Sequence, residues 1–419
     1  MSELAIKGGQ PVRTAPFPQR PLFDERELAA LQQVLYSRRW TSAPYIFGGD
    51  MSLSKVYELE QRYAAFHDCQ YAVATGSGTD ALQIAYAAAG LGPGDEAIMP
   101  PNTFIATATP ALQLGAVPVF ADVDPETLCL SPEAVEAAIT ERTRLIVPVH
   151  LGGYPADMDR LSEIAARHGL KLVADAAHAH GSEWRGKKVA AFAELSAFSF
   201  QQDKQITCGE GGIVTTNDAT LYELCYTLHN DGRGLGEQGS LFVAQGWNFR
   251  MSEFQAALLL VQLERLGEML ERKNRNAKRL GEGLAELGGL SWPPEDERIT
   301  RQSYVYPRLR YDAAAFAGVP VATFAAALRA EGIPCAAGGG WLLYKHPVFA
   351  EQRFRFETSK RLDYTRVHCP NAEAAPSRWL AFPQEVLLGS EKDIDDFIEA
   401  VAKIKRHLGE LHPLQPAQR

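Results

Sequence analysis

The chain is short of the features that would place it outside ordinary metabolism. Its six cysteines, Cys69, Cys129, Cys208, Cys225, Cys335 and Cys369, are scattered with no CxxC pair, so the sequence suggests neither a zinc site nor a disulfide framework and fits a reducing compartment. It has no long lysine or arginine run, and its formal net charge of −9 argues against general nucleic-acid binding. No uninterrupted apolar run reaches membrane-spanning length, and the opening MSELAIKGGQPVRTAPFPQRP carries glycine and proline where a signal peptide carries its apolar stretch. The expectation is a cytoplasmic protein whose partner is a small molecule or another protein.

What is present is enough apolar material for a large core. Hydrophobic residues make up 46% of 419, and that length favours two domains over one: a large one over 1–265 with the N-terminal segment, and a small α+β one over 266–419. Between about 55 and 216 short apolar runs alternate with helical segments. YAVAT (71–75), EAIMP (96–100), PVFADV (118–123), RLIVPVH (144–150), KLVAD (171–175), SAFSF (196–200) and GIVTT (212–216) read as seven strands, several apolar throughout as in sheets covered on both faces. The fold class is α/β, a mostly parallel sheet between helices, with reactive groups expected at the carboxyl ends of the strands. Residues 252–280 read as one long helix linking the domains, with Leu259, Leu263, Leu266 and Leu270 along one face.

Three places in this frame carry chemistry. In YAVATGSGTDAL a strand runs through Gly76, Ser77, Gly78 and Thr79 straight into a helix; free N–H groups and the positive helix end make an anion site suited to phosphate, although a plain turn capped by Thr79 reads equally well from this stretch alone. Asp175 closes the strand KLVAD, where a carboxylate is costly without a cation or donor. Lys204 lies just past SAFSF and before Gly209, Gly211 and Gly212; a desolvated lysine is partly neutral and condenses with aldehydes. Together these are the parts a pyridoxal phosphate enzyme needs: amine, phosphate cradle, and carboxylate for the ring nitrogen. His178 and His180, two apart with no third ligand nearby, read as packing and hydrogen-bonding groups, so no metal is expected. Cys208 reads as a buried thiol, GLGEQG (234–239) as a loop lacking the strand and helix of a nucleotide-binding fingerprint, and CAAGGGW (335–341) as either a hinge or a substrate-contacting turn.

The chain resembles the DegT/DnrJ/EryC1/StrS aminotransferases, fold type I pyridoxal phosphate enzymes, over nearly its whole length. The resemblance is carried by GGQPVR, SGTDAL, PNTFIATA, PVFADVDPETL, PVHLGG, DAAHAHGSEWRGKKV, SFQQDKQITCGEGG and GWNFRMSEFQAA. It implies that Lys204 forms the Schiff base with the cofactor and moves the substrate proton, and that Asp175 pairs with the pyridinium nitrogen. Gly78, Thr79 and Ser199 would bind the phosphate, Phe104 would stack on the ring, and His178 would meet the 3-hydroxyl region. Gln201 would join the cofactor-binding set, and Asn248 would reach the phosphate of a neighbouring subunit, making a homodimer with shared sites. Arg250 would be structural. Within the family, Gln201 and Gln202 depart from the SFHxxK of nucleotide-sugar members. QQxK, YKHPVF and CPNAE look like the glutamine-dependent scyllo-inosose group, which aminates keto-cyclitols with glutamine or glutamate as donor. DAAHAHG with SFQ also resembles the 3-amino-5-hydroxybenzoate synthase group, an alternative alongside nucleotide-keto-sugar amination.

Overall fold

A computed structural model describes residues 3–42, 50–235 and 241–411. Of the GLGEQG motif, residues 236–239 lie outside the described residues. The seven expected strands form one sheet: β1 (Tyr71–Thr75), β2 (Glu96–Met99), β3 (Val117–Phe120), β4 (Thr143–Ile146), β5 (Lys171–Asp175), β6 (Leu195–Ser199) and β7 (Gly212–Thr216). Their spatial order is β1-β7-β6-β5-β4-β2-β3. From β3 to β6 every pairing is parallel, whereas β7 runs antiparallel to both β1 and β6. All residues of β2, β6 and β7 are buried, which accounts for apolar runs with no alternation.

Helix α1 (Gly78–Ala88) follows β1 at once. Helix α2 (Glu253–Leu287) opens on a capping box between Ser252 and Gln255 and runs a further two turns beyond the expected end at 280. Glycine is a poor helix former, but a β-carbon on Gly281 or Gly283 would stand 2.8 Å from the Trp292 ring and 2.4 Å from Ile398 respectively. They are places of close packing, and the helix continues through them. Along α2, Leu259, Leu263, Leu266 and Leu270 join the core around the large sheet, while Ala277, Leu280 and Leu284 join a second core with Leu309, Phe324, Phe382 and Phe397. Leu343, Tyr344, Phe349 and Tyr364 return to the first core. The second core backs a small antiparallel sheet that includes Arg308–Tyr311, Ala336–Ala337 and Trp379–Ala381. Among the described residues no helix is long and apolar enough to cross a membrane.

One carboxylate is sealed beside β1. Glu60 accepts from the Ala74 N–H at 2.8 Å; burial pushes its pKa up to about 8, Glu253 adds to the rise and the Ala74 bond opposes it. Tyr222 and Tyr226 also feel its charge. The folded pKa lies above that of the unfolded chain, so the native state holds the proton more tightly. Its stabilisation is complete below the ordinary carboxylate pKa and is lost as pH rises through about 8. At about 1.4 kcal/mol per pKa unit, the melting temperature should fall across that window, and Glu60→Gln, which keeps the acceptor for Ala74, should flatten the fall. Parallel melting profiles of parent and variant from pH 5 to 8.5 would refute this assignment.

Candidate active site

Register brings the reactive segments to one edge of the sheet. Asp175 pairs with Ala197 of β6, Ser199 at the end of β6 pairs with Gly212, and Gly212 pairs with Thr75. The ends of β1, β5 and β6 therefore stand side by side. At the end of β1 it is Ser77 that caps α1, accepting from the Asp80 N–H at 3.1 Å; Thr79 is the second helical residue, and its hydroxyl is not spent as a cap. No described residue accepts from the N–H groups of Gly78 and Thr79, which leaves a helix N-terminus with two open donors. The crossing is tight enough to require glycine. A β-carbon on Gly78 would lie 2.7 Å from Ser199 Cβ, and one on Gly212 would lie 2.2 Å from the Ser77 carbonyl. The Gly76 N–H donates to Phe249 O at 2.8 Å, so the GWNFR segment braces the same turn.

Asp175 is buried, 6% exposed. Its Oδ2 accepts from Thr107 Oγ1 at 2.6 Å and its Oδ1 from the Ala177 N–H at 3.1 Å. Thr107 has one hydroxyl proton and gives it to Asp175, so the 2.8 Å contact between Thr103 and Thr107 hydroxyls makes Thr103 the donor to Thr107. Burial raises the Asp175 pKa, and the Thr107 bond, the Ala177 bond and the Lys204 charge pull it back.

Lys204 is held from three sides. Its N–H donates to Gln201 O at 2.8 Å; Arg20 donates to the carbonyls of Asp203 and Lys204, and Gln384 donates to Asp203 O at 3.0 Å. The Lys204 Nζ stands 5.6 Å from the Tyr306 ring centroid, and no described carboxylate lies within ion-pair distance of it. Desolvation lowers its pKa, against the raising effect of Asp175 and Asp203, which favours the neutral, nucleophilic amine. His178 is set by the Gly152 N–H, which points at its Nδ1 from 3.3 Å. Burial, with the Lys204 and Arg308 charges, lowers its pKa well below the ordinary value. The ring is therefore neutral, Nδ1 accepts, and Nε2 is the N–H donor with no acceptor among the described residues. His180 points elsewhere: its Nε2 donates to Ser199 O at 2.9 Å and its Nδ1 accepts from Tyr63 at 2.7 Å.

These groups surround one cavity of about 590 Å³. Gly78, Thr79, Phe104, Asp175, His178, Ser199, Gln201 and Lys204 all line it. Gln201 Oε1 accepts from the Asp203 N–H at 2.8 Å, which leaves its amide as a donor. Asn248 lies outside the cavity of its own chain and is exposed. Arg250 donates to Asn230 and Asp231. Sequence reasoning missed Thr107, Tyr306 and Arg308, and left Trp341 within CAAGGGW between a hinge and a substrate-contacting turn. Thr103 and Thr107 were visible as hydroxyls four apart within PNTFIATA; the other three come from the small sheet and its loops. Gly340 and Trp341 line the cavity, so CAAGGGW reaches the site, and Trp341 sits 5.6 Å from Phe104, ring to ring, with both more than half exposed.

The family model "DegT/DnrJ/EryC1/StrS aminotransferase family" matches residues 21–402 of the chain that builds this cavity. The chain belongs to this aminotransferase family. An L-glutamine:2-deoxy-scyllo-inosose aminotransferase of Streptoalloteichus tenebrarius is 40% identical to it over 97% of this chain and 99% of its own length. The crystal structure of 3-amino-5-hydroxybenzoic acid synthase matches with TM-score 0.82 and 33% identity, covering 95% of this chain and 100% of that one. NtdA from Bacillus subtilis, solved with bound cofactor PMP, matches with TM-score 0.75 and 26% identity over 91% of this chain and 82% of that one.

Proposed function

We propose that this aminotransferase uses pyridoxal 5'-phosphate to move the amino group of glutamine to a keto-cyclitol of the scyllo-inosose class, in an aminocyclitol antibiotic pathway. The observation that carries it is Lys204: half-buried, without a carboxylate partner among the described residues, and in one cavity with Asp175 and the open end of α1. The residues fit the cofactor. The free N–H groups of Gly78 and Thr79 with the Ser199 hydroxyl would take its phosphate, Asp175 its ring nitrogen, the His178 Nε2–H its phenolic oxygen, and Phe104 its face. Bound there, the group supplies an aldehyde for amines and a protonated ring that accepts electrons from the adjacent carbon. Lys204 Nζ takes the proton from the donor's α-carbon and later returns one to the acceptor carbon. Gln201, with its amide held by Asp203, offers a donor to the same space.

The choice of acceptor rests on 40% identity to a 2-deoxy-scyllo-inosose aminotransferase over the whole length, against 33% to the hydroxybenzoic acid synthase. L-Glutamine should bleach the aldehyde-form absorbance of the holoenzyme, and 2-deoxy-scyllo-inosose should restore it faster than nucleotide keto-sugars do. Restoration by a nucleotide keto-sugar alone, or an aromatic product formed without an amine donor, would replace this reading. The same reading includes a homodimer in which Asn248 serves the neighbouring site. It is supported by the exposure of Asn248 beside Leu241, Phe242 and Val243, apolar side chains 50% to 66% exposed. A division into 1–265 and 266–419 is inferred likewise, from the passage of α2 between two cores, with Leu343, Tyr344, Phe349 and Tyr364 of the second part packing back on the first core.

A further inference from the structure

Arg308 is a half-buried cation with no anion among the described residues. It begins a strand of the small sheet and lines the cavity. Its Nη1 donates to Tyr306 O at 3.1 Å; its Nε is buried with no acceptor, and no described carboxylate lies within ion-pair distance. Elsewhere, partly buried arginines are matched: Arg265 meets Glu27 at 2.8 Å, and Arg298 meets Asp296 at 2.7 Å. Burial of Arg308 brings its pKa down to about 10, with Cys129 and Tyr306 giving only partial compensation. Space is kept for it: a β-carbon on Gly152 would stand 2.4 Å from Nη1. A desolvated guanidinium in this state is costly unless a ligand completes it.

We propose that Arg308 holds the α-carboxylate of the amino donor. This rests on the aminotransferase reading above and adds to it the means by which one cavity serves two unlike substrates. Arg308 and Lys204 are both bound up with Tyr306: one donates to its carbonyl, the other stands over its ring. A donor whose α-carbon is presented to Lys204 Nζ carries its carboxylate one bond further, toward the guanidinium. Its Nη2, which no described group uses and which, unlike Nε, is not sealed from the cavity, is the donor a carboxylate can reach. The phosphate cradle at Gly78 and Thr79 belongs to a different element, so the two anions have separate seats. A keto-cyclitol is neutral; it takes the same place through hydroxyls and does not call on the charge.

The test separates the half-reactions of the holoenzyme. In Arg308→Gln, kcat/KM for L-glutamine should fall about 100-fold or more, chiefly through KM. Amination of the keto-cyclitol by the pre-aminated enzyme should fall at least about tenfold less than the glutamine reaction, because neutral hydroxyls in the same place do not depend on the charge. That second reaction, with the bound-cofactor absorbance, also shows that the variant folds. The parent should prefer L-glutamine to 4-aminobutanamide, which lacks the α-carboxylate; Arg308→Gln should erase the preference and Arg308→Lys recover part of it. Equal loss in both half-reactions, or an unchanged preference for the carboxylate, overturns the proposal. If the parent prefers another L-amino acid, the glutamine reading fails while Arg308 is judged on that amino acid and its decarboxylated analogue. A parent that reacts with no amino acid overturns both.

Discussion

Lys204→Ala is expected to lower turnover by at least about 10⁴-fold, because it removes both a nucleophilic amine and a general base from one position. The structure explains why no neighbour takes over. Lys273, a fully buried lysine in this region, is 0% exposed and spends its ammonium on Ser303 O at 2.8 Å and Gln384 at 2.7 Å, outside the cavity lining. The backbone at 203 and 204 is pinned by Arg20 and Gln384, so the loop is not free to bring another side chain round. Lys204→Arg should fail almost as completely, since a guanidinium does not shed its proton near neutral pH. The measurements are kcat for amino transfer and the visible absorbance of the bound cofactor; Lys204→Ala turnover within tenfold of the parent sinks the assignment.

Lys204 and Asp175 were legible in the sequence for the same reason the seven strands were. A strand buried on both faces is written as an unbroken apolar run, so its end is sharp, and a charged residue just past that end is conspicuous. The glycines near Lys204 were legible as punctuation, but their purpose was not. Gly212 is there because the Ser77 carbonyl passes 2.2 Å from where its β-carbon would be, a contact between strands far apart in sequence. The cap of α1 was misread in the turn-only reading for a local reason: Ser77 and Thr79 are both good caps, and only the position of the Asp80 N–H decides between them. Tyr306, Arg308 and Trp341 lie more than a hundred residues after Lys204. A tyrosine and an arginine in or beside a short strand have ordinary packing or surface readings, and the glycine run before Trp341 does not decide between a hinge and a substrate-contacting turn. Arg308 becomes informative only when the absence of its carboxylate can be seen.

The second large effect is expected at Asp175. Removing one partner of a buried charged pair costs about 3 to 5 kcal/mol, so Asp175→Ala should reduce kcat/KM by about 10²- to 10⁴-fold. Asp175→Asn should lose nearly as much, because it keeps the volume and gives up the charge. The carboxylate is sustained first by donors, Thr103 to Thr107, Thr107 to Oδ2 and the Ala177 N–H to Oδ1, and then by the Lys204 charge. Burial works the other way and is the largest influence, raising its pKa. Thr107→Val removes the strongest opposing bond, so the Asp175 pKa should rise further. The carboxylate is the working form, and activity is lost as pH falls through its pKa. The acidic limb of the kcat/KM profile should therefore move to higher pH in Thr107→Val, while the rate at its plateau stays closer to the parent than that of Asp175→Asn. An acidic limb that stays in place would mean that Thr107 only packs against Asp175, and that another group sets the ionisation on which the reaction depends.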